Sequence, residues 1–416
     1  MEAFFLSPYL ILTIAGILGL FMAWGIGAND VANAMGTSVG SKALTLKQAI
    51  IIAAIFEFLG AYLAGGEVTS TIRKGIVDPQ LYANDLNIFI IGMMSSLLAA
   101  GFWLYIASNK GWPVSTTHSI VGAIVGFVLI TKGIDAVSWF TVGEIASSWI
   151  TSPLIAGILA FLIYLSAKKL IIDAKNQVTA AIFYIPFYSF FVAGVIAQVI
   201  ARKGLSHIGL TWSDNEIWFF TALIALLTGG LTSLALRLNK ESISSKGGIE
   251  YAFGILMIVT ACAMAFAHGS NDVANAIGPL AAIISVVNLS DLSSTAPINP
   301  AILLLGGAGI VLGLSTLGYK VIKTVGEKIT KLTPSLGFSA EMAAASTVVF
   351  ASYLGFPIST THTLIGGVIG VGLANSAKDV DWSSVYRIFA SWIITIPIGA
   401  VFTILFYVFL RVIFNV

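Results

Sequence analysis

The chain has 416 residues, 57% of them hydrophobic and only 10% charged, with a mean hydropathy of +0.96. Soluble domains carry about 25% charged residues, so a soluble enzyme, a nucleic-acid binder and a disordered chain are excluded, and a net charge of +2 implies no polyelectrolyte partner. The single cysteine, Cys262, leaves no intrachain disulfide and no cysteine-based metal cluster, and what remains is an all-α polytopic membrane protein.

The N-terminus, Met1-Glu-Ala-Phe-Phe-Leu-Ser-Pro-Tyr-Leu10, has no Lys or Arg before the first apolar run, so no removable signal sequence is expected. A bilayer span needs about 20 residues at 1.5 Å each. Twelve runs meet that length approximately: 8–27, 47–66, 87–107, 113–130, 143–165, 179–200, 216–236, 249–267, 300–319, 338–354, 357–374 and 386–410. Trp112, Trp139, Trp212, Trp218 and Trp382 fall near span ends, as an aromatic belt would place them. Fifteen of the 21 Lys and Arg follow odd-numbered spans. The positive-inside bias therefore puts both termini outside the cytoplasm.

The same unit occurs twice. Asn29-Asp-Val-Ala-Asn-Ala-Met-Gly36 returns as Asn271-Asp-Val-Ala-Asn-Ala-Ile-Gly278, identical at seven of eight positions. Gly111-Trp-Pro-Val-Ser-Thr-Thr-His118 and the eight residues after it return as Gly355-Phe-Pro-Ile-Ser-Thr-Thr-His362 and its continuation, identical at eight of sixteen. The offsets are 242 and 244, and Pro153 and Pro397 also match. The copies start in spans 1 and 8, an odd number apart, so they face opposite ways. That is the inverted-repeat plan of secondary transporters, with substrate and ion sites at broken helices near the midplane. The expected division is a first repeat over 1–170, a linker with two spans over 171–247 and a second repeat over 248–416.

Each Asn-Asp-Val-Ala-Asn segment sits at the end of an apolar run beside glycines that allow a helix to break and free its carbonyls. Asp30 and Asn33, like Asp272 and Asn275, are three apart and share a helix face. Carboxylate, amide and carbonyl oxygens are hard ligands that suit a cation such as Na⁺. Asn29, Asp30, Asn33, Asn271, Asp272 and Asn275 are thus the expected cation ligands, with Asn33 and Asn275 also within reach of the anion. The alternative for one copy alone is a helix cap. Ser115-Thr116-Thr117 and Ser359-Thr360-Thr361 follow Gly-aromatic-Pro turns and open apolar helices. Helix N-termini with added hydroxyls form a cradle for a tetrahedral oxyanion, against ordinary capping as the bland reading. Glu57 and Glu341 lie at membrane depth, where an ionisable residue is a functional candidate as an ion ligand or its neighbour, against a structural pair with a Lys, Arg or Ser as the alternative. His118, His362 and His268 lie in or beside the motifs, to orient neighbours or to meet the anion.

Gly27-Ala-Asn-Asp-Val-Ala-Asn33, Ala267-His-Gly-Ser-Asn-Asp-Val-Ala-Asn275 and the two Pro-x-Ser-Thr-Thr-His segments resemble the inorganic phosphate transporter (PiT) family. The likeness runs on through Ile55-Phe-Glu57, Thr71-Ile-Arg-Lys-Gly-Ile76 and the surroundings of Glu341, and spans essentially the whole chain. It implies phosphate uptake driven by Na⁺ or H⁺ across the plasma membrane, and two glutamates important for transport that match Glu57 and Glu341. The long cytoplasmic insertion of larger relatives is absent between the repeats, as in a compact prokaryotic form. The expectation is a secondary transporter importing phosphate with sodium, with no other cofactor, no nucleic acid, the bilayer as its surroundings and room for a homodimer. Proton coupling and sulfate as substrate are the alternatives within transporters. An intramembrane hydrolase using Ser115 or Ser359, which has no need for two matched copies, and a passive channel, which would conduct without needing the cation site, are the rivals outside that class.

Overall fold

A computed structural model describes residues 6–204, 210–289, 298–328 and 331–416, with the side chains of 73–75, 326–328 and 379 left aside. His207, and the side chains of Arg73, Lys74 and Lys328 that enter the charge count, lie outside what is described. The described residues form helices: α1 (Pro8–Gly40), α2 (Leu46–Ala64), α3 (Gly66–Gly75), α4 (Leu86–Asn109), α5 (Thr116–Lys132), α6 (Trp139–Ala167), α7 (Gln177–Val199), α8 (Asp214–Leu238), α9 (Gly248–Leu289), α10 (Pro300–Thr316), α11 (Gly318–Lys328), α12 (Pro334–Tyr353), α13 (Thr360–Ser376) and α14 (Trp382–Phe414). There are short 3₁₀, π and α turns between them, and no strand among the described residues.

Every one of the twelve expected spans falls on a helix. Among the described residues, eight helices are long and apolar enough to cross a bilayer unaided, and α10 with α11, bent by 70° at their junction, makes a ninth. The others fall short for physical reasons. α5 and α13 have 17 residues each. α12 has 20 residues but is rich in Ser, Ala and Gly. Such small residues suit a helix packed against other helices, where close approach replaces apolar bulk. The outer helices show the reverse pattern: Ile150 and Leu154 on α6, Phe219 and Leu226 on α8 and Ile393 and Val412 on α14 are exposed apolar side chains, the kind of surface that a bilayer span presents.

At the centre, α1 and α9 pair along their lengths. Gly19 lies against Leu280, Ser41 donates a hydrogen bond to the Met257 sulfur at 3.2 Å, and Gly254 faces Ala43. Low numbers on one helix meet high numbers on the other, so the pair is antiparallel, and the two Asn-Asp-Val-Ala-Asn segments run in opposite directions. Residues 25–38 and 263–283 are buried on every side. Both helices continue unbroken through the motif, with 33 and 42 residues. This corrects the expected break. The neighbouring glycines serve contact instead: a Cβ on Gly27 would lie 1.9 Å from the Ile310 carbonyl oxygen, and one on Gly269 would lie 2.1 Å from that of Glu57. No break releases the motif carbonyls as a group, and only Asn275 loses its intrahelical donor, because Pro279 four residues on has no N–H.

The chain breaks instead at 110–115 and 354–359, the two Pro-x-Ser segments. The helices that follow cross over between the halves. α5 lies against α14, with Gly122 beside Ile396 and Gly126 beside Ala400, while α13 lies against α6, with Gly366 beside Pro153 and Gly370 beside Gly157. The second of these pairs repeats the first, at a sequence offset of 244 for the glycines and 243 for their partners. Each half of the chain thus packs its Ser-Thr-Thr helix against the last helix of the other half.

Candidate anion and cation site

The interlacing brings both acidic segments and both hydroxyl segments to one buried place. Thr116 Oγ1 donates to Asp30 Oδ2 at 2.7 Å, and Thr360 Oγ1 donates to Asp272 Oδ2 at 2.6 Å. Across the halves, Asn33 Nδ2 donates to Thr360 and Thr361 at 3.3 and 2.8 Å, and Asn275 Nδ2 donates to Thr116 and Thr117, both at 3.2 Å. Thr361 also donates to Asp30 Oδ1 at 3.2 Å. Thr117 and Thr361 reach the carbonyls of Ile358 and Val114, on each other's Pro-x-Ser segments, at 2.9 and 3.3 Å. Asn29 Nδ2 donates to the Trp112 carbonyl and Asn271 Nδ2 to that of Phe356, at 2.9 and 3.1 Å, holding the two turns in place. All of these polar residues are buried.

The two serines do something narrower than expected. Ser115 Oγ and Ser359 Oγ accept from the backbone N–H of His118 and His362, each at 3.2 Å, so both act as N-caps of their own helices. The threonines, one and two residues on, point at the acidic segments. The N-terminal dipoles of α5 and α13 therefore converge on this cluster with four hydroxyls and two amides around them.

His118 and His362 stand behind the cradle. His118 Nδ1 meets the Trp392 carbonyl and His362 Nδ1 that of Trp149, each at 3.1 Å. A carbonyl only accepts, so each Nδ1 carries the proton. The rings lie against the two tryptophans: His362 stacks on Trp392 with centroids 3.4 Å apart, and His118 meets Trp149 at a 42° tilt with centroids 3.7 Å apart. The histidines thus tie the start of each cradle helix to the last helix of the opposite half, which is the orienting role. The tryptophans escaped the reading of the sequence, although Ser148-Trp149-Ile150 recurring as Ser391-Trp392-Ile393 was a usable signal.

His268 is placed differently. Its Nδ1 lies 3.1 Å from Glu57 Oε1 and its Nε2 lies 3.0 Å from Asp272 Oδ2 and 4.0 Å from Asp30 Oδ2. These are ion-pair distances, but the angles are not those of hydrogen bonds, and both ring nitrogens lack a hydrogen-bond partner. Glu57 gets there because Gly60 and Gly269 let α2 and α9 touch backbone to backbone. Five buried oxygens here also lack a donor: Glu57 Oε1 and Oε2, Asn271 Oδ1, Asp272 Oδ1 and Asn275 Oδ1. Unpartnered buried oxygens of this kind cost about 1–3 kcal/mol each and are suited to a hard cation. Asp30, His268 and Asp272 bring one ligand atom each within 4.8 Å of one another.

Glu341 lies apart from that cluster. Its Oε1 accepts from Thr37 and from Ser38, the latter at 2.5 Å, and its Oε2 from Thr260 at 2.6 Å. These hydroxyls were not anticipated. Thr37 and Ser38 stand two turns beyond Asp30 on α1, so their spacing along the helix was legible once α1 was known to continue.

Residues 26–403 match the model of the phosphate transporter family. The chain belongs to the phosphate transporter family. A Haemophilus influenzae protein named as a phosphate permease is 48% identical over 409 residues, 97% of each chain. The chloroplastic inorganic phosphate transporter 2-1 of Arabidopsis thaliana is 43% identical, over 94% of this chain and 70% of its own length. A solved structure described as the sodium-dependent phosphate transporter superposes with a TM-score of 0.90 at 40% identity, covering 97% of this chain and 99% of that one. The protein is thus a multi-pass membrane transporter of phosphate and not an enzyme, and the hydrolase reading of Ser115 and Ser359 falls away.

Proposed function

We propose that this phosphate transporter is a sodium symporter that imports inorganic phosphate across the plasma (inner) membrane, with both termini outside the cytoplasm and two inverted repeats framing the site. The observation that carries sodium is the set of unpartnered carboxylate and amide oxygens beside the threonine cradle. The sodium-dependent structural neighbour points the same way. In this reading Thr116, Thr117, Thr360 and Thr361 hold the phosphate, aided by Asn33, Asn275 and the first backbone N–H groups of α5 and α13, which have no intrahelical acceptor. Asp30, Asp272, Glu57 and the oxygens of Asn29, Asn33, Asn271 and Asn275 hold cations next to it. Glu341, with Thr37, Ser38 and Thr260, offers a further cation position along α1.

The coupling is electrostatic. Two like charges about 4 Å apart repel by about 4 kcal/mol at an effective dielectric of about 20. An anion brought beside Asp30, Asp272 and Glu57 is therefore opposed until cations neutralise the carboxylates. Cation and anion then raise one another's affinity by the same factor, and the sodium gradient drives phosphate inward as access alternates. Sulfate, also tetrahedral, differs from phosphate in having no proton to donate to a carboxylate. The test is uptake of radiolabelled phosphate into proteoliposomes with the sodium and proton gradients set independently and sulfate as competitor. Accumulation is expected with an inward sodium gradient and no pH gradient. Uptake that follows the proton gradient and ignores sodium would overturn the reading.

A further inference from the structure

Two short helices cover the turns that lead into the cradle. α3 reaches the second turn, where Thr71 Oγ1 donates to the Gly355 carbonyl at 2.7 Å. α11 reaches the first, where Lys320 Nζ donates to Asn109 Oδ1 at 3.0 Å and a Cβ on Gly111 would lie 3.3 Å from Thr324 Oγ1. Both are amphipathic: Val68 and Ile72 on α3, and Val321, Ile322 and Val325 on α11, are buried. Each belongs to one half of the chain and covers a turn of the other. Both also start at a junction with a preceding helix: α2 passes into α3 at Gly65-Gly66, with Gly65 in the helical region of φ and ψ, and α10 passes into α11 at Leu317-Gly318 with a 70° turn.

The junction glycines rest on the cation-site motifs. A Cβ on Gly318 would lie 2.4 Å from Val31 Cγ1, and a Cβ on Gly65 would lie 2.3 Å from Val273 Cγ1. Val31 and Val273 are the same position of the two Asn-Asp-Val-Ala-Asn segments, each next to its aspartate. The relation is crossed: the valine of the first half bears on the junction of the second, and the reverse. A valine in a helix is held to essentially one χ1 rotamer, so its methyl cannot swing aside, and glycine leaves no side chain to cushion the contact.

Resting on the sodium-coupled reading above, we propose that Val31 and Val273 are positioning residues that pass cation occupancy at Asp30 and Asp272 to the lid helices α11 and α3. A cation that draws in an aspartate shifts the helical turn that also carries the valine. The valine methyl bears on the junction glycine, and the junction changes how the lid sits on its turn. Because α1 and α9 are antiparallel, one kind of event at the two motifs acts on two lids placed at opposite-running helices. This gives the alternating motion a physical linkage: an element with two arrangements, biased by the ligand that binds beside it.

The contact at Gly318 allows a clean suppression test, because among the described residues a Cβ there would meet Val31 Cγ1 at 2.4 Å and the next nearest atoms at 3.6 Å. The reporter is a Thr324→Cys substitution on α11 in a Cys262→Ser background, labelled by a maleimide in detergent with and without sodium. Phosphate binding in saturating sodium is followed by calorimetry, and sodium-driven uptake is measured in proteoliposomes. In the otherwise wild-type protein, sodium should change the labelling rate by roughly 5-fold or more, the lower end of ordinary site-to-site coupling. Gly318→Ala and Val31→Ala should each abolish that change and slow uptake, while phosphate binding in sodium persists. The double substitution Gly318→Ala/Val31→Ala replaces a methyl-to-glycine contact by a methyl-to-methyl one and should restore the sodium-dependent labelling. Val273→Ala provides the same test at the other junction if Gly318→Ala fails to fold. The proposal is overturned if Val31→Ala and Val273→Ala both keep wild-type uptake and labelling, or if the double variant stays uncoupled while folded. If sodium drives no uptake in the unaltered protein, the sodium reading itself fails, and this linkage with it.

Discussion

The two copies of the acidic segment differ at one residue in eight, yet they do not have the same surroundings. In the first, Asn29 Oδ1 accepts from the Val114 N–H at 3.1 Å, and both Asp30 oxygens accept threonine hydroxyls. In the second, Asn271 Oδ1, Asp272 Oδ1 and Asn275 Oδ1 all lack a donor. The cause lies partly just outside the motif. The position that holds His268 in the second copy holds Ile26 in the first, and Glu57 from α2 reaches His268 beside the second copy, whereas Glu341 from α12 meets Thr37 and Ser38 beyond the first. On the proposed reading, a duplicated sequence thus supplies a nearly symmetric anion cradle and an asymmetric cation site, with the threonine side shared between halves and the undonated oxygens gathered on one of them.

The largest expected effect tests that asymmetry directly. Asp272→Asn removes a charge whose Oδ1 is free to ligate a cation, and should cost about 1.5–3 kcal/mol of cation binding, or roughly 10- to 150-fold in affinity. Asp30→Asn leaves the threonine hydroxyls an acceptor and should cost about 1 kcal/mol, the net worth of an ordinary hydrogen bond. Sodium titration of phosphate binding by calorimetry compares the two. A larger loss at Asp30 would reverse the assignment of the open ligands.

The cradle should behave symmetrically where the cation site does not. Thr116→Val and Thr360→Val each remove a hydroxyl that donates to an aspartate and accepts from an asparagine of the other half. Each should weaken phosphate binding by about 1–3 kcal/mol, and the double variant should depart from additivity by about 0.5–3 kcal/mol because the two share a network. Phosphate titration in saturating sodium reads both numbers. A loss confined to one variant would mean that a single half binds the anion.

The smallest effect marks where the copies are alike. Ser115→Ala and Ser359→Ala remove equivalent N-caps and should each lower stability by about 0.5–2 kcal/mol, seen as a lower thermal midpoint in detergent. The sodium requirement should stay unchanged in both. A shift in sodium affinity from either serine would put it among the ligands and sharpen the site beyond the threonines.

Much of this molecule is written in local order along the chain. Hydropathy and length mark the helices because a bilayer rewards each apolar run independently of its partners. The repeated Asn-Asp-Val-Ala-Asn and Ser-Thr-Thr-His segments announce themselves because buried polar groups are scarce in such a chain, so two in one order stand out. The family and the list of residues at the site were legible on those grounds. Partnership was not. Glycines next to an acidic motif read equally as a place where a helix breaks and as a place where another helix comes close. Only packing shows that Gly27 and Gly269 serve the second purpose. The crossing of α5 to α14 and of α13 to α6, the convergence of Glu57 on His268 and the seat of Val31 on Gly318 are contacts between residues tens to hundreds of positions apart. No local pattern encodes them, because hydrophobic burial selects for surface removed from water or lipid and is indifferent to which helix removes it. Choice among partners comes from fit, where backbones approach within a glycine's width and each buried oxygen finds a donor or is left to wait for a cation.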